Sequence, residues 1–402
     1  MKRLNTQVAI VGAGPGGLLL SHLLQRSGVD SIVLERRSRE YVEKRVRAGL
    51  LEGGTVDLLR EAGLADRLEH EGLVHEGFVF RFGSRAHRMP FTELTGRTVR
   101  MYGQQELVKD LIGARTAAGA RLWFDVPDAE PMGLDTDTPT VRCTVAGEPV
   151  EIGCDFVAGC DGFHGVSRRS VPPGTFSTYE RTYPYAWLGV LAEAPPAAEE
   201  LIYAVHSRGF ALHSMRSPSV SRLYLQVEAG ERVENWPDER IWKELHTRLD
   251  IDGAPELAEG PVLEKSCVAL RGFVTEPMSY GRLFLAGDAA HIVPPTAAKG
   301  LNLAVADIKV LATAFGEFYA SGDRTALDGY SAACLPGVWQ AQEFSDWMSG
   351  LLHRPPEGRV FDGRLQDARL EAVVNSPAAA RRFAENYVGL ARERTPARGG
   401  RP

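Results

Sequence analysis

Gly12, Gly14 and Gly17 stand between an apolar, β-branched run, Thr6–Val11, and a helical run, Leu18–Leu24. That placement suits pyrophosphate chemistry. Gly12 permits the tight turn, Gly14 lets the backbone approach a phosphate, and Gly17 lets helix and strand pack closely; Gly16 belongs to the same turn. The new helix offers free N–H groups and a partial positive charge to an anion. Glu35, 21 residues beyond Gly14, closes a second short strand, Ser31–Leu34, where a carboxylate can accept hydrogen bonds from ribose hydroxyls. Strand, turn, helix, strand and acid in register predict a dinucleotide site. After Glu35 come Arg36, Arg37 and Arg39, then Tyr41. This guanidinium cluster reads either as a receptor for a 2′-phosphate or as exposed loop arginines. No second G-x-G follows, so a nicotinamide partner would bind without a Rossmann unit of its own.

Two acidic turns lie further along. Cys160-Asp161-Gly162-Phe163-His164-Gly165-Val166-Ser167-Arg168 follows a predicted strand, Phe156–Gly159, and Arg282–His291 is a strand running into Gly287-Asp288. Taken alone, each reads equally well as a turn with an acidic cap. A third feature, Arg222-x-Tyr224-x-Gln226, puts three polar side chains on one face of a strand.

The elements that must position these residues form an α/β fold, with a Rossmann-like nucleotide-binding domain, a smaller mixed or antiparallel sheet domain and a helical C-terminus. Helices are predicted near Val56–Ala62 and Gln105–Ala118, with Gly28 closing the first helix. Strand-like runs at Ala186–Leu191, Leu201–Val205 and Arg222–Val227 mark the second domain. The division predicted is 1–73, 98–180 and 270–350 for the nucleotide domain, 74–97 and 181–269 for the sheet domain, 351–394 for the helical part and 395–402 for a flexible tail.

With 402 residues, 44% hydrophobic and 24% charged, the chain can build a sizeable core. A net charge of −6 provides no basic field for nucleic acid or an anionic membrane. The five cysteines form no C-x-x-C, so they suggest neither a metal site nor a redox dithiol, and reduced thiols in the cytoplasm are expected. Leu4–Gln25 lacks charge behind Met1-Lys2-Arg3 and mimics a membrane signal, but its central glycines and proline break a spanning helix.

Taken together, the glycine turn, Asp161-Gly162 and Gly287-Asp288 resemble the motifs of the single-component FAD-dependent aromatic hydroxylases. The resemblance runs from about Thr6 to Leu390. It includes Arg47-Ala48-Gly49, Leu73–Gly77, Tyr102-Gly103-Gln104, Ala158–Gly165, Glu200–Tyr203, Arg208–Leu212, Asp288–Thr296 and Glu385–Leu390. Within that family these stretches resemble members acting on 4-hydroxybenzoate.

The resemblance implies FAD held by Gly12, Gly14, Gly16, Gly17, Glu35, Arg45, Arg47, Gln104, Asp161, Arg222 and Asp288. Lys299 and the Leu301 and Asn302 N–H groups would lie at the flavin ring. NADPH, with NADH as the alternative, would meet Arg36, Arg37, Tyr41, His164 and Arg168. Ser214, Arg216 and Tyr224 would grip the substrate carboxylate. Tyr203 would take the phenol proton, Tyr387 would pass it on, His75 would connect to solvent, and the Pro295 carbonyl would face the substrate hydroxyl. The implied reaction places a hydroxyl at C3 of 4-hydroxybenzoate, with O2 as oxidant, in a homodimeric enzyme. Ala297 departs from the family, which usually has Gly there. Rival readings are an amino- or dihydroxybenzoate hydroxylase, a flavin-dependent halogenase or reductase, and a non-catalytic flavin binder. The halogenase W-x-W-x-I-P motif is absent.

Overall fold

In the computed structural model, which describes residues 1–390 apart from 46, 48, 254 and 356–358, the strand behind the glycine turn is Val8–Val11, buried along its whole length. Ala48 of the Arg47-Ala48-Gly49 segment and the expected tail lie outside the described residues. Val8–Val11 pairs in parallel with Ser31–Leu34 and with Phe156–Gly159. The six-stranded sheet extends to Arg121–Trp123 at one edge and to Leu283–Leu285 and Ser279–Tyr280 at the other. Parallel strands covered on both faces demand continuous apolar runs, which is the pattern found. Helix Pro15–Arg26 packs on this sheet. It opens with Pro15 at its first position and closes at Gly28, φ +73°, where the Val29 N–H reaches the Leu24 carbonyl at 2.9 Å.

The uncharged stretch 4–25 therefore divides into the end of one strand, a second strand, a turn and a helix. Among the described residues no helix is long and apolar enough to cross a membrane. Lys2–Asn5, at the basic start, is itself a strand, parallel to Glu148–Gly153 with Lys2 opposite Val150. Its exposed, charged side chains carry no strand signal, and the pairing comes from a distant segment.

The second sheet has eight strands, in the order His291–Ile292, Val262–Glu276, Ser177–Ala192, Val220–Glu228, Gly209–Ser217, Leu201–His206, Gly77–Phe82 and Arg85–Pro90. It is antiparallel except where Leu201–His206 meets Gly77–Phe82. Alternation gives it two distinct faces. Leu188, Val190, Ile202, Ala204, Leu223 and Leu225 pack with Ile241, Trp242 and Leu245 of helix Asp238–Leu249. On the other face, Trp187, Leu201, Tyr203, Phe210 and Leu212 pack with Phe344, Met348, Phe383 and Tyr387. The latter four come from the C-terminal helices Tyr330–Leu352 and Pro377–Tyr387. One face is thus a plain core, and the other brings the helices Tyr330–Leu352 and Pro377–Tyr387 to the polar side chains of the sheet.

Candidate active site

At the glycine turn, packing distinguishes the three glycines. A Cβ on Gly12 (φ +106°) would stand 2.4 Å from the Cys160 carbonyl oxygen, and one on Gly17 would stand 2.0 Å from that of Gly12. Around Gly14 no protein atom lies within 4 Å of the Cβ position. Two glycines thus let the chain pack, while the third leaves space beside the helix N-terminus, as a bound pyrophosphate requires. Gly16 faces Ile308 at ordinary contact distance. The Glu35 carboxylate is fixed at this turn by the N–H groups of Ala13 and Arg37, both at 2.8 Å.

Arg36, Arg37 and Tyr41 are exposed. The Arg37 guanidinium lies 5.1 Å from the Tyr41 ring centre. Ser38 caps the short helix Arg39–Lys44, and Arg39 pairs with Glu43 at 2.7 Å. Arg36 and Arg37 have no carboxylate partner among the described residues.

The opposite wall comes from distant segments. Gly49 lies against Tyr102, whose N–H reaches the Gly49 carbonyl at 2.7 Å, and Gln104 is the first residue of helix Gln104–Ala117. Arg47 Nη1 lies 3.3 Å from Asp288 Oδ2, with both side chains partly exposed. Burial and the neighbouring Arg47 lower the pKa of Arg45, while Tyr41, Asp288 and Glu35 oppose the shift. Asp161 Oδ2 accepts from the N–H and hydroxyl of Ser167 at 2.9 and 3.0 Å. Its Oδ1 is buried without a partner, and burial holds its carboxyl above the usual range. Arg168 donates to the carbonyls of Ala289 and Phe163 at 2.7 and 2.8 Å. It therefore braces the two acidic turns against each other, while His164 is exposed.

Cross-strand register assembles the second half of the site. Tyr203 lies opposite Leu212, Leu212 opposite Tyr224, Tyr224 opposite Gly189, and Ser214 opposite Arg222. All therefore share the face that meets the C-terminal helices. The Tyr203 and Tyr387 hydroxyls are 2.8 Å apart and fully enclosed. Phe78 packs edge-on to Tyr203, and Phe91 stacks on Tyr387. Burial pushes both phenols up; for Tyr203 the bond to Tyr387 works in the opposite sense.

Ser214 Oγ donates to the Arg222 carbonyl at 2.8 Å, and Arg222 Nε meets Tyr224 Oη at 3.4 Å. Arg216 Nε and Arg222 Nη1 are buried without a hydrogen-bond partner. Burial lowers the pKa of Arg216, Tyr224 opposing and Arg222 adding to the effect. Arg222 Nη1 lies 3.8 Å from Glu264 Oε1, so Arg216 carries the donor without a partner, and such a guanidinium can hold an anion. His75 is buried opposite Val99, with neither ring nitrogen hydrogen-bonded. Burial pushes its pKa down to about 4. The structure thus joins Tyr203 to Tyr387 but does not hydrogen-bond His75 to either.

The Pro295–Ala297 turn ends at Ala298 with φ +52°, and the Pro295 carbonyl accepts the Ala298 N–H at 2.9 Å. The Ala297 methyl is buried in the cluster that contains Tyr203. Lys299 Nζ is buried and donates to Glu52 Oε1 at 2.6 Å and to the Asn386 and Tyr387 carbonyls at 2.7 Å. Asn302 accepts from Glu52 N–H and Thr55 Oγ1, and donates to the Leu50 and Ala298 carbonyls. The Leu301 and Asn302 N–H groups open helix Gly300–Ser321 with no backbone acceptor among the described residues. Sequence reasoning missed Glu52, Trp187 and His353. Glu52, next to the buried Leu50–Leu51, could have been noticed as an acid in apolar surroundings; the other two carry no local signal.

The FAD binding domain family matches residues 5–345. The p-hydroxybenzoate hydroxylase of Acinetobacter baylyi is 48% identical over 391 residues, covering 97% of this chain and 96% of that protein. The solved p-nitrophenol 4-monooxygenase of Pseudomonas putida has a TM-score of 0.82 at 18% identity, covering 96% of this chain and 98% of that one. A flavin-dependent halogenase has a TM-score of 0.75 at 20% identity, covering 97% and 77%. These two structures share the fold with this chain, and the fold accommodates more than one chemistry.

Proposed function

The chain belongs to the FAD-binding family and is an FAD-dependent aromatic hydroxylase, and on that premise we propose that it converts 4-hydroxybenzoate to 3,4-dihydroxybenzoate with NADPH and O2. The main support is the buried Tyr203–Tyr387 hydroxyl pair, at 2.8 Å, together with the Arg216 Nε donor that is buried without a partner near Tyr224. Tyr203 and Tyr224 stand two strand spacings apart, or roughly 10 Å. An anion site and a phenol site at opposite ends suit one para-substituted ring.

FAD, bound along Gly14, Glu35, Arg45, Arg47 and Asp288, supplies electron transfer from the nicotinamide and activation of oxygen. The chain's own residues bind, orient and deprotonate. Arg216, with the Ser214 and Tyr224 hydroxyls, holds the carboxylate. Tyr203 accepts a hydrogen bond from the substrate phenol, and as the phenol proton moves to Tyr203 Oη, the Tyr203 proton moves to Tyr387 Oη and the Tyr387 proton is released toward solvent. His75, kept neutral, is the proposed exit toward solvent. The phenolate left behind enriches the ortho carbon in electron density, where the new C–O bond forms. Aromatic side chains around the pair exclude water. The exposed Arg36 and Arg37, beside Glu35, favour a 2′-phosphate and hence NADPH over NADH.

The test is NADPH and NADH consumption with and without 4-hydroxybenzoate, with the product identified by mass. A dihydroxylated acid supports the reading, and a wild type that consumes reductant without any hydroxylated product refutes it. Tyr203→Phe should keep substrate-dependent NADPH oxidation and lower product formation by about 100-fold, the scale of a lost general base. An unchanged product yield would remove Tyr203 from this role.

A further inference from the structure

We propose that His353 is a positioning residue for the aromatic acid: it holds the Trp187 indole against Tyr224 and so fixes the wall on which the substrate's carboxylate site is built. The proposal rests on reading the site as a phenolic-acid pocket.

His353 lies immediately beyond helix Tyr330–Leu352 and is buried. Its Nδ1 lies 2.9 Å from the Ser349 carbonyl, and its Nε2 lies 2.5 Å from Trp187 Nε1. A carbonyl only accepts and an indole N–H only donates. The ring is therefore the neutral Nδ1–H tautomer, with Nε2 accepting from the indole. Burial, with the Ser349 contact opposing it, pushes the pKa down to about 3, which keeps the Nε2 lone pair available. Tyr185 stacks flat on the imidazole at 4.2 Å, with 2° between the planes, which fixes the plane of the ring.

The held indole faces the site. Its ring centre is 4.9 Å from that of Tyr224 and 5.4 Å from that of Phe210. Tyr224 in turn meets Arg222 through its hydroxyl and lies 5.3 Å beneath the Arg222 guanidinium.

The segment carrying His353 is itself clamped. Gln226 Oε1 accepts the N–H groups of Phe210 and Arg354, both at 3.0 Å, and its amide donates to the Arg354 carbonyl at 2.8 Å. Gln366 donates to the Leu351 and His353 carbonyls, both at 2.9 Å. Gln226 is the third residue of the Arg222-x-Tyr224-x-Gln226 alternation, so the strand that forms the anion site also anchors the residue that steadies its wall.

The experiment titrates the FAD-loaded enzyme with 4-hydroxybenzoate and reads the perturbation of flavin absorbance, alongside thermal stability without substrate. His353→Leu should raise Kd about tenfold, equal to about 1.4 kcal/mol. His353→Gln, whose amide oxygen can accept the indole N–H, should recover most of that loss. Trp187→Phe should weaken binding to a similar extent, and the double variant should be no worse than the worse single one, since both remove one interaction. Kd within twofold of wild type for His353→Leu, or additive losses in the double variant, overturns the proposal. If His353→Leu does not retain FAD, Trp187→Phe decides with His353 in place: an unchanged Kd overturns it. A wild type blind to every phenolic acid tested removes the functional reading and this inference with it; a wild type that binds while His353→Leu binds equally removes this inference alone.

Discussion

The nucleotide turn and the aromatic face of the eight-stranded sheet are built on opposite principles. At the turn, function follows from backbone: side chains are missing where helix and strand must meet, and one gap, at Gly14, stays open to the ligand. On the aromatic face, the proposed function rests on side chains, with the Tyr203 and Tyr387 hydroxyls paired and the buried Arg216 Nε left without a partner. On the proposed reading, the first region fails by steric overlap and the second by loss of a charge or a proton path. In the first, neighbouring glycines divide packing from ligand space; in the second, the proposed roles fall on polar side chains that the core does not need.

The largest expected effect tests the first region. Gly17→Ala places a methyl 2.0 Å from a backbone oxygen and should cost about 3 kcal/mol or more, read as a fall in Tm and loss of FAD absorbance. Gly14→Ala meets no protein atom within 4 Å, so the FAD-free protein should melt within about 0.5 kcal/mol of wild type while FAD affinity falls. Equal loss of stability in the two variants would erase the distinction between packing and ligand glycines.

Next in size is the anion site. Arg216→Met should weaken 4-hydroxybenzoate binding by about 100-fold, from the roughly 1.5–3 kcal/mol of a charge-assisted hydrogen bond. Because the Arg216 Nε has no protein partner, the substrate-free enzyme should lose no stability. A large drop in Tm there would show that the arginine serves the fold instead.

The smallest effect per residue concerns protons. Burial lowers the pKa of His75 and His213 to about 4 and that of His353 to about 3. Their unfolded values near 6.5 mean that the unfolded chain takes up protons first as pH falls. The stability contributed by the neutral rings is complete above about pH 6.5 and is lost as pH falls toward 4. Denaturation at pH 7 and pH 5 should differ by on the order of 1 kcal/mol per histidine. A stability curve flat across that window would contradict these burials.

Legibility follows the same division. The Gly12–Gly17 spacing, Glu35 and the strands Ser31–Leu34 and Phe156–Gly159 were readable because each depends on neighbours within a few residues. Lys2–Asn5 was not, since its strand character comes from Glu148–Gly153. Arg168 and Lys299 show a different limit. A cation beside a cofactor motif looks available in sequence, but the structure commits Arg168 to two carbonyls and Lys299 to Glu52 and the C-terminal helix.

By itself the sequence determined the βαβ turn, the class of ligand it cradles and the alternation that gives the second sheet a polar face. Local sterics and a two-residue period suffice for those. Only the tertiary structure decided that Tyr387 reaches Tyr203, that Arg216 keeps an unused donor, and that His353 accepts from Trp187. Such contacts depend on which buried groups find partners once distant segments meet, and that is set when the C-terminal helices close over the sheet.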